Sequence, residues 1–382
     1  YLDTIPGDLP DLHNIPEGCI FAPRCSHASK VCLEKAPSSY EIDKAHQASC
    51  HMLAPDFNNS AHLAGSVEQA RSKTTDYSHE TIQKNKVGAP LLSVKNLQVR
   101  FDTMSKFKAM IQGVDKPYVD AVLGVSLDLR RGETLGLVGE SGSGKTTLGR
   151  AILGLIKSHS GSVTIDGKEI SDLSEAKLRK LRADMAMMFQ DPVGSLSPRQ
   201  TVRALITEPF DIHRKGGFDI DVEAKRLCDM VNLPLSILSK YPHELSGGQA
   251  RRVGVARALA LEPGLIIADE PTAGLDVSVQ GEILNLMRDL QLRKELAYLI
   301  ITHNLPVVRH ISDRLAIMYL SRIVEQGDCA AIFDNPAHPY TEALVKGIPH
   351  PDPDKRRDLL TIEGEVPSLN NRPTGCEFHG RY

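Results

Sequence analysis

The chain has 382 residues, which at roughly 150 per domain suggests two to three domains, so a peptide hormone or a lone disulfide module is excluded. Lys plus Arg number 45 against 48 Asp plus Glu, a formal charge of -3 with no basic stripe, which argues against nucleic acid as the main partner. With 41% hydrophobic and 24% charged residues, the longest apolar runs, Leu265–Ala268 and Ala297–Ile301, fall far short of the ~18 residues of a membrane span, so any membrane role runs through a partner.

Position 1 is Tyr, and Tyr1–Pro10 lacks the basic start and apolar core of a secretory signal, so the sequence reads as a fragment whose natural start lies upstream. Cys19, Cys25, Cys32 and Cys50 then crowd into residues 1–53, whereas Cys228, Cys329 and Cys376 are scattered. Four thiols are the number that Fe–S or Zn ligation needs, but the spacing lacks a zinc ribbon's paired C-x2-C; free thiols or two disulfides are the alternatives. Isolated Cys228 and Cys329 are assigned to packing. Residues 54–90 are polar, without sustained period, and read as a linker.

From Leu91 the pattern changes. Leu92–Phe101 alternates apolar and polar residues as a half-buried strand does, Asp102–Pro117 reads as a loop, and Val119–Leu129 as a second strand region. The turn Arg131-Gly-Glu133 leads into a short buried strand, Thr134–Val138, followed by helix-like Thr147–Ile156. Further on come helix-like Arg251–Leu261, strand Leu265–Ala268, helix-like Val277–Leu296 and strand Tyr298–Ile301. Strands alternating with helices imply an α/β fold, a parallel sheet covered on both faces. Gly18-Cys-Ile-Phe-Ala-Pro-Arg-Cys25 is echoed by Gly375-Cys-Glu-Phe-His-Gly-Arg-Tyr382 at the far end.

Gly139-Glu140-Ser141-Gly142-Ser143-Gly144-Lys145-Thr146 fits G-x-x-x-x-G-K-[ST] between the strand ending at Val138 and the helix that includes Thr147. Glycines let backbone N–H groups curl around phosphate oxygens at a helix N-terminus, the Lys145 ammonium suits β- and γ-phosphates, and the Thr146 hydroxyl suits Mg²⁺. Leu265-Ile-Ile-Ala-Asp269-Glu270 ends an apolar strand in two carboxylates, where a Mg²⁺-organising Asp and a base for attacking water would sit. Leu245-Ser246-Gly247-Gly248-Gln249 is a second glycine-rich loop opening a helix, and so a second candidate anion site.

Together these motifs resemble the ATP-binding subunits of ABC transporters. Gly139–Thr146 stands as Walker A, Gln190 in Phe189-Gln-Asp-Pro192 as the Q-loop, and Leu245–Gln249 as the signature. Asp269 and Glu270 stand as Walker B and catalytic base, Ala273-Gly-Leu-Asp276 as the D-loop, and His303 in Ile301-Thr-His-Asn304 as the switch histidine. Taken singly, Gln190 could be a surface amide, His303 a capped strand end and Asp276 a helix N-cap; in the family's order over Leu91–Asp334 those bland readings lose. Two departures, Ala273-Gly in the D-loop where Ser-Ala is more usual and Asn304 where Asp is common, remove no side chain that the chemistry uses.

The resemblance implies a P-loop NTPase of the ABC type: a RecA-like parallel core, an antiparallel β subdomain and a helical signature subdomain at about 191–257 within a domain at 91–334. It implies ATP held by Gly139–Thr147 with Phe101 stacking on adenine, Tyr118 being the rival, and Mg²⁺ held by Thr146, Gln190 and Asp269. The signature loop of a second ATP-binding domain would complete the site in a head-to-tail dimer, with Glu270 polarising water and His303 contacting the γ-phosphate.

Phe189–Arg199, Tyr319–Gly327 and Asn335–Leu344 resemble the dipeptide/oligopeptide importer subfamily; residues 335–382 read as its C-terminal extension, truncated, whose pattern Gly364–Arg381 matches until Tyr382 replaces the second Cys. Residues 1–53 resemble the same extension in full, through Pro6-Gly-Asp-Leu-Pro10, Cys19, Cys25, Cys32, His46 and Cys50. A tandem fusion of two such ATPases, the upstream half missing, is the reading this suggests. In the subfamily the extension is associated with a [4Fe–4S] cluster. The expected partners are a second ATP-binding domain, two permease subunits and an extracytoplasmic peptide-binding protein, at the cytoplasmic face of the bacterial inner membrane. Nickel, glutathione or another small solute as cargo, a non-transport ABC ATPase, and a redox-sensing role for residues 1–53 are the competing readings.

Overall fold

In the computed structural model the described residues are 2, 5, 15–43, 46–54, 89–105, 111, 117–213, 217, 219–348, 362 and 364–382. The chain separates into two compact units, 1–81 and 82–382. Most of the linker read at 54–90, the segment Pro6–Pro10 and much of the loop after Asp102 lie outside the described residues. No helix among the described residues is long and apolar enough to cross a membrane.

The first unit is small. A 3-10 turn at Ala22–Arg24 and a short helix at Lys30–Glu34 precede β1 (Ser39–Asp43), which pairs antiparallel with β2 (His46–Ser49) through Ser39↔Ser49 and Tyr40↔Ala48. A Cys19 N–H bond to the Cys32 carbonyl at 2.7 Å draws the first turn onto the helix, and a Cβ at Gly18 would stand 2.3 Å from that same carbonyl oxygen, so glycine is required there. Among the described residues of this unit, Ala22, Ser29, Cys32 and His51 have buried side chains.

In the second unit, the alternating pattern of residues 92–101 forms β3 (Leu92–Asp102), which with β4 (Tyr118–Leu129), β6 (Ser160–Ile165) and β7 (Lys168–Glu169) makes an antiparallel sheet of order β4-β3-β6-β7. A second sheet has the order β12-β11-β5-β10-β9-β8, from β5 (Thr134–Val138), β8 (Met185–Met188), β9 (Leu265–Asp269), β10 (Ala297–Thr302), β11 (Arg314–Tyr319) and β12 (Arg322–Asp328). It is parallel except at β12, which returns antiparallel along β11. Every residue of β5, β9 and β10 is buried, as expected for strands covered on both faces.

Helix boundaries shift from the sequence reading where glycine loops open them. The first long helix starts at Lys145 and stops at Ile152, because Gly144 takes φ 101° as its N-cap and Gly154 is left-handed beyond its end. The signature helix starts at Gly247 and runs to Leu259, because Ser246 caps it. Val202–Ile212, Ile220–Met230 and Gly247–Leu259 enclose one core with Leu205, Leu227, Val253 and Met287. A second core lies against the antiparallel sheet, around Val94, Val122, Leu148 and Ile267. A third gathers Leu315, Tyr319, Ile332, Tyr340 and Phe378, and it is where the C-terminal region, including the helices Cys329–Asp334 and Pro339–Lys346, is anchored.

Candidate nucleotide site

The site is built at the carboxyl ends of β5, β10 and β9, the part of a parallel sheet where a crevice opens. Register places Thr302 beside Val138 and Ile301 beside Asp269, so the glycine loop after β5, the acidic pair ending β9 and His303 after β10 emerge side by side.

The glycine loop is seated by backbone contact. A Cβ at Gly139 would stand 2.0 Å from the Met318 carbonyl oxygen and one at Gly144 2.1 Å from that of Ala121, so the loop cannot accept side chains at either position. Lys145 Nζ donates to the carbonyls of Gly139 and Glu140, both at 2.7 Å, and lies 3.3 Å from Ser143 Oγ. Burial pushes the Lys145 ammonium below its ordinary pKa, against the pull of Glu270, Asp269 and Glu140. A buried ammonium satisfied only by neutral carbonyls and a hydroxyl is a cation kept ready for an anion. Of the other loop residues, Ser141 and Gly142 are exposed and Thr147 is half-buried.

Thr146 Oγ1 donates to Asp269 Oδ2 at 2.9 Å, which places a hydroxyl and a carboxylate at one point, the hard oxygen donors that Mg²⁺ prefers. Burial raises the Asp269 pKa, the Thr146 hydroxyl opposes this, and Glu270 adds to it. Gln190 is exposed, and the structure gives it no contact with these two residues.

Glu270 has φ 49°, a left-handed conformation costly for a residue with a side chain. The surroundings impose it. Its N–H bonds the Ile301 carbonyl at 2.8 Å, Thr302 Oγ1 donates to Oε2 at 2.9 Å, and the His303 N–H donates to Oε1 at 3.1 Å. His303 Nδ1 stands 2.6 Å from the same Oε1, while the His303 side chain is 70% exposed and so faces the opening.

Ser246 and Gln249 form a reciprocal cap at 3.2 and 3.3 Å, and Ser246 and Gly247 are exposed. Gly248 is held small by Val279, whose Cγ1 a Cβ would meet at 2.9 Å. Asp276 caps the helix Val277–Lys294 by accepting from Val279 N at 3.0 Å. Phe101 is 44% exposed at the end of β3, whereas Tyr118 has Arg100 stacked 3.6 Å from its ring centroid, which occupies one of its faces.

Several contacts were not anticipated from sequence. Thr302 holds Glu270, and its place between Ile301 and His303 was a usable signal. Arg251, 2% exposed, donates to the carbonyls of Phe189 and Gln190 at 2.8 and 3.0 Å and of Ala273 at 3.3 Å, tying the segment around Gln190 to the loop before Asp276. Tyr340 and Arg381 reach Glu140 from the C-terminal region, and the repeated Phe and Arg of the two echoed segments were the signal for the latter.

Cys19, Cys25, Cys32 and Cys50 are free thiols. Cys25 Sγ accepts from His27 N at 3.4 Å and Cys32 Sγ lies 3.3 Å from Ser29 Oγ, but no three His, Cys, Asp or Glu among the described residues stand together as a metal-holding group. The described residues thus give no support to the [4Fe–4S] cluster or zinc expected there.

The family described as ABC transporter matches residues 122–273, and the oligopeptide/dipeptide transporter C-terminal region matches twice, at residues 1–32 and 324–381. The oligopeptide transport ATP-binding protein AppF of Bacillus subtilis is 48% identical over 267 residues, 69% of this chain and 81% of that protein. OppF of Salmonella typhimurium, also named an oligopeptide transport ATP-binding protein, is 44% identical over 304 residues, 78% and 90% of the two chains. Among solved structures, a dimeric post-hydrolysis state of the ATP-binding cassette MJ0796 superposes with a TM-score of 0.56 at 28% identity, covering 62% of this chain and 98% of that one. CbiO1 from Clostridium perfringens gives 0.55 at 27%, covering 65% and 92%. The chain belongs to the ABC transporter ATP-binding proteins, in the group that carries the oligopeptide/dipeptide transporter C-terminal region.

Proposed function

We propose that the chain hydrolyses ATP to power import of di- and oligopeptides through permease partners. The observation that carries this reading is the convergence of Lys145, Asp269, Glu270 and His303 at three adjacent strand ends. Lys145 and the glycine loop bind the triphosphate, with Phe101 under the adenine. Thr146 and Asp269 would hold Mg²⁺, joined by Gln190, and the ion would neutralise charge developing on the phosphates. Glu270 accepts the proton of the attacking water, and Thr302 and His303 orient its carboxylate.

Leu245–Gln249 serves the site of a second cassette, so one domain alone is a poor ATPase. Support comes from the exposure of Ser246 and Gly247 and from the dimeric neighbour among solved structures. Gln190–Pro198 faces the permeases, with Phe189 and Val193 exposed beside it, and this docking makes the chain peripheral to the inner membrane. An extracytoplasmic binding protein delivers the peptide. The second copy of the C-terminal region, at residues 1–32 and ahead of a cassette, supports a tandem arrangement in which another cassette comes first. The peptide cargo rests on the names of the relatives.

The test is uptake of labelled di- and oligopeptides by cells carrying Glu270→Gln in the intact gene, with ATP hydrolysis measured on the purified transporter. Loss of a positioned base lowers turnover by about 10²- to 10⁴-fold with nucleotide binding retained, and peptide uptake disappears with it. Wild-type hydrolysis in the variant would overturn the role of Glu270. Hydrolysis lost with peptide uptake intact would overturn the cargo.

A further inference from the structure

Glu140, the second residue of the glycine loop, is fixed from every side. Its N–H donates to Tyr340 Oη at 3.0 Å, and its carbonyl accepts from Lys145 Nζ at 2.7 Å and Ser143 N at 3.2 Å. Its carboxylate takes a two-pronged ion pair from Arg381, 2.8 and 3.1 Å to the two oxygens. Tyr340 and Arg381 both belong to the matched C-terminal region, 200 and 241 residues away in sequence.

The region that supplies them is itself anchored. Phe378 is buried edge-on to Tyr319 and Tyr340, with ring centroids 5.4 and 5.6 Å away. Arg372 donates to the carbonyls of Leu320 and Asp120, both at 2.8 Å, and pairs with Glu377 at 2.9 Å. Ser321, in the same β11–β12 turn, donates its N–H to the Ser143 carbonyl of the glycine loop at 3.0 Å. Arg381 is 8% exposed on its side chain, and the Glu140 pair raises its pKa, so the guanidinium stays charged.

The electrostatics give the pair a purpose. A carboxylate on a loop that receives a polyphosphate repels it, and in a partly buried site that repulsion is only weakly screened. Arg381 cancels the charge of Glu140, and Tyr340 keeps the Gly139–Glu140 peptide turned so that the Gly139 carbonyl stays on Lys145.

We propose that Arg381 and Tyr340 are positioning residues for the phosphate loop, acting through Glu140, so that the C-terminal region of this chain sets its affinity for nucleoside triphosphate. This rests on the ATP reading above and adds a determinant that the motifs do not contain.

The experiment is equilibrium titration of the full 382-residue chain with a fluorescent ATP analogue and Mg²⁺, on wild type, Arg381→Gln, Glu140→Gln and the double variant, with thermal unfolding in parallel. Arg381→Gln is expected to weaken binding about tenfold, and Glu140→Gln added to it to recover most of that loss, because the unpaired charge is then gone. Tyr340→Phe, which keeps the ring in its core and removes only the acceptor, is expected to weaken binding by about two- to threefold while the chain stays folded. Binding by Arg381→Gln within twofold of wild type overturns the proposal, as does a loss that Glu140→Gln does not repair. If the wild-type chain binds no nucleotide, the ATP reading itself fails, a result distinct from equal binding by wild type and variant.

Discussion

Residues 18–25 and 375–382 carry one pattern, Gly-Cys-x-Phe-x-x-Arg, in two surroundings. At the C-terminal end Phe378 is 4% exposed among Tyr319 and Tyr340, and Arg381 closes on Glu140. At the N-terminal end Phe21 is 41% exposed, and the buried side chains among the described residues of its unit are Ala22, Ser29, Cys32 and His51. The pattern therefore does not make a core by itself. Its aromatic ring and its guanidinium are side chains for a cassette surface, a tyrosine-lined hollow ending in a carboxylate. Among the described residues of the unit at 1–81, the Cys19 N–H bonds the Cys32 carbonyl and the His51 imidazole Nε2 lies 2.7 Å from the Lys35 carbonyl.

The comparison is broken most forcefully at Phe378. Phe378→Ala empties the hollow and should cost the cassette about 3–5 kcal/mol, read as a fall of roughly 6 °C or more in the melting temperature of that unit. A near-normal melting temperature would mean that the C-terminal region adds no stability to the cassette.

A smaller effect lies at His338, whose ring sits 5.8 Å from Phe378 and whose Nδ1 accepts from Tyr340 N at 3.1 Å, a role open only to an unprotonated nitrogen. Burial lowers the His338 pKa below its ordinary 6.5, against the opposing pull of Glu325. The folded state then binds fewer protons than the unfolded one, so the contribution of His338 is complete above about pH 6.5 and shrinks as pH falls from there toward the lowered value. His338→Asn, which keeps an N-cap acceptor without the titration, should flatten the acid-side loss of melting temperature over that window; an unchanged profile would remove His338 from the account. The smallest change belongs to Phe21→Ala, expected to alter stability by about 0.5 kcal/mol or less, because the ring is already largely in solvent. A large loss there would show that the two copies are equally engaged.

How much was legible in the sequence follows the length of the contacts. Strand Thr134–Val138, the glycine loop, the acidic pair and His303 are read from local patterns, since a buried strand is a short apolar run and a phosphate loop is a run of glycines. The antiparallel return of β12 along an otherwise parallel sheet was not visible, because a short turn at Leu320-Ser321 carries no signal of direction. Arg251 and Arg381 were missed as well. Their partners are main-chain carbonyls or a carboxylate far away in sequence, and a guanidinium in a helix or at a chain end looks like a solvated charge. The four N-terminal cysteines are a different case: their spacing shows that four thiols are present, and nothing in the spacing says whether they converge on one ligand.

Arg251 has a consequence for how the chain can vary. Its guanidinium reads only the main chain, at Phe189, Gln190 and Ala273, and its Nε finds no partner. Side chains at Phe189 and Ala273 can therefore drift without disturbing the bond pattern, while the arginine cannot: the single nitrogen of lysine does not span two loops. Tolerance to substitution is thus unevenly shared, with the loops left free to adapt to new protein partners and the joint between them held by one side chain.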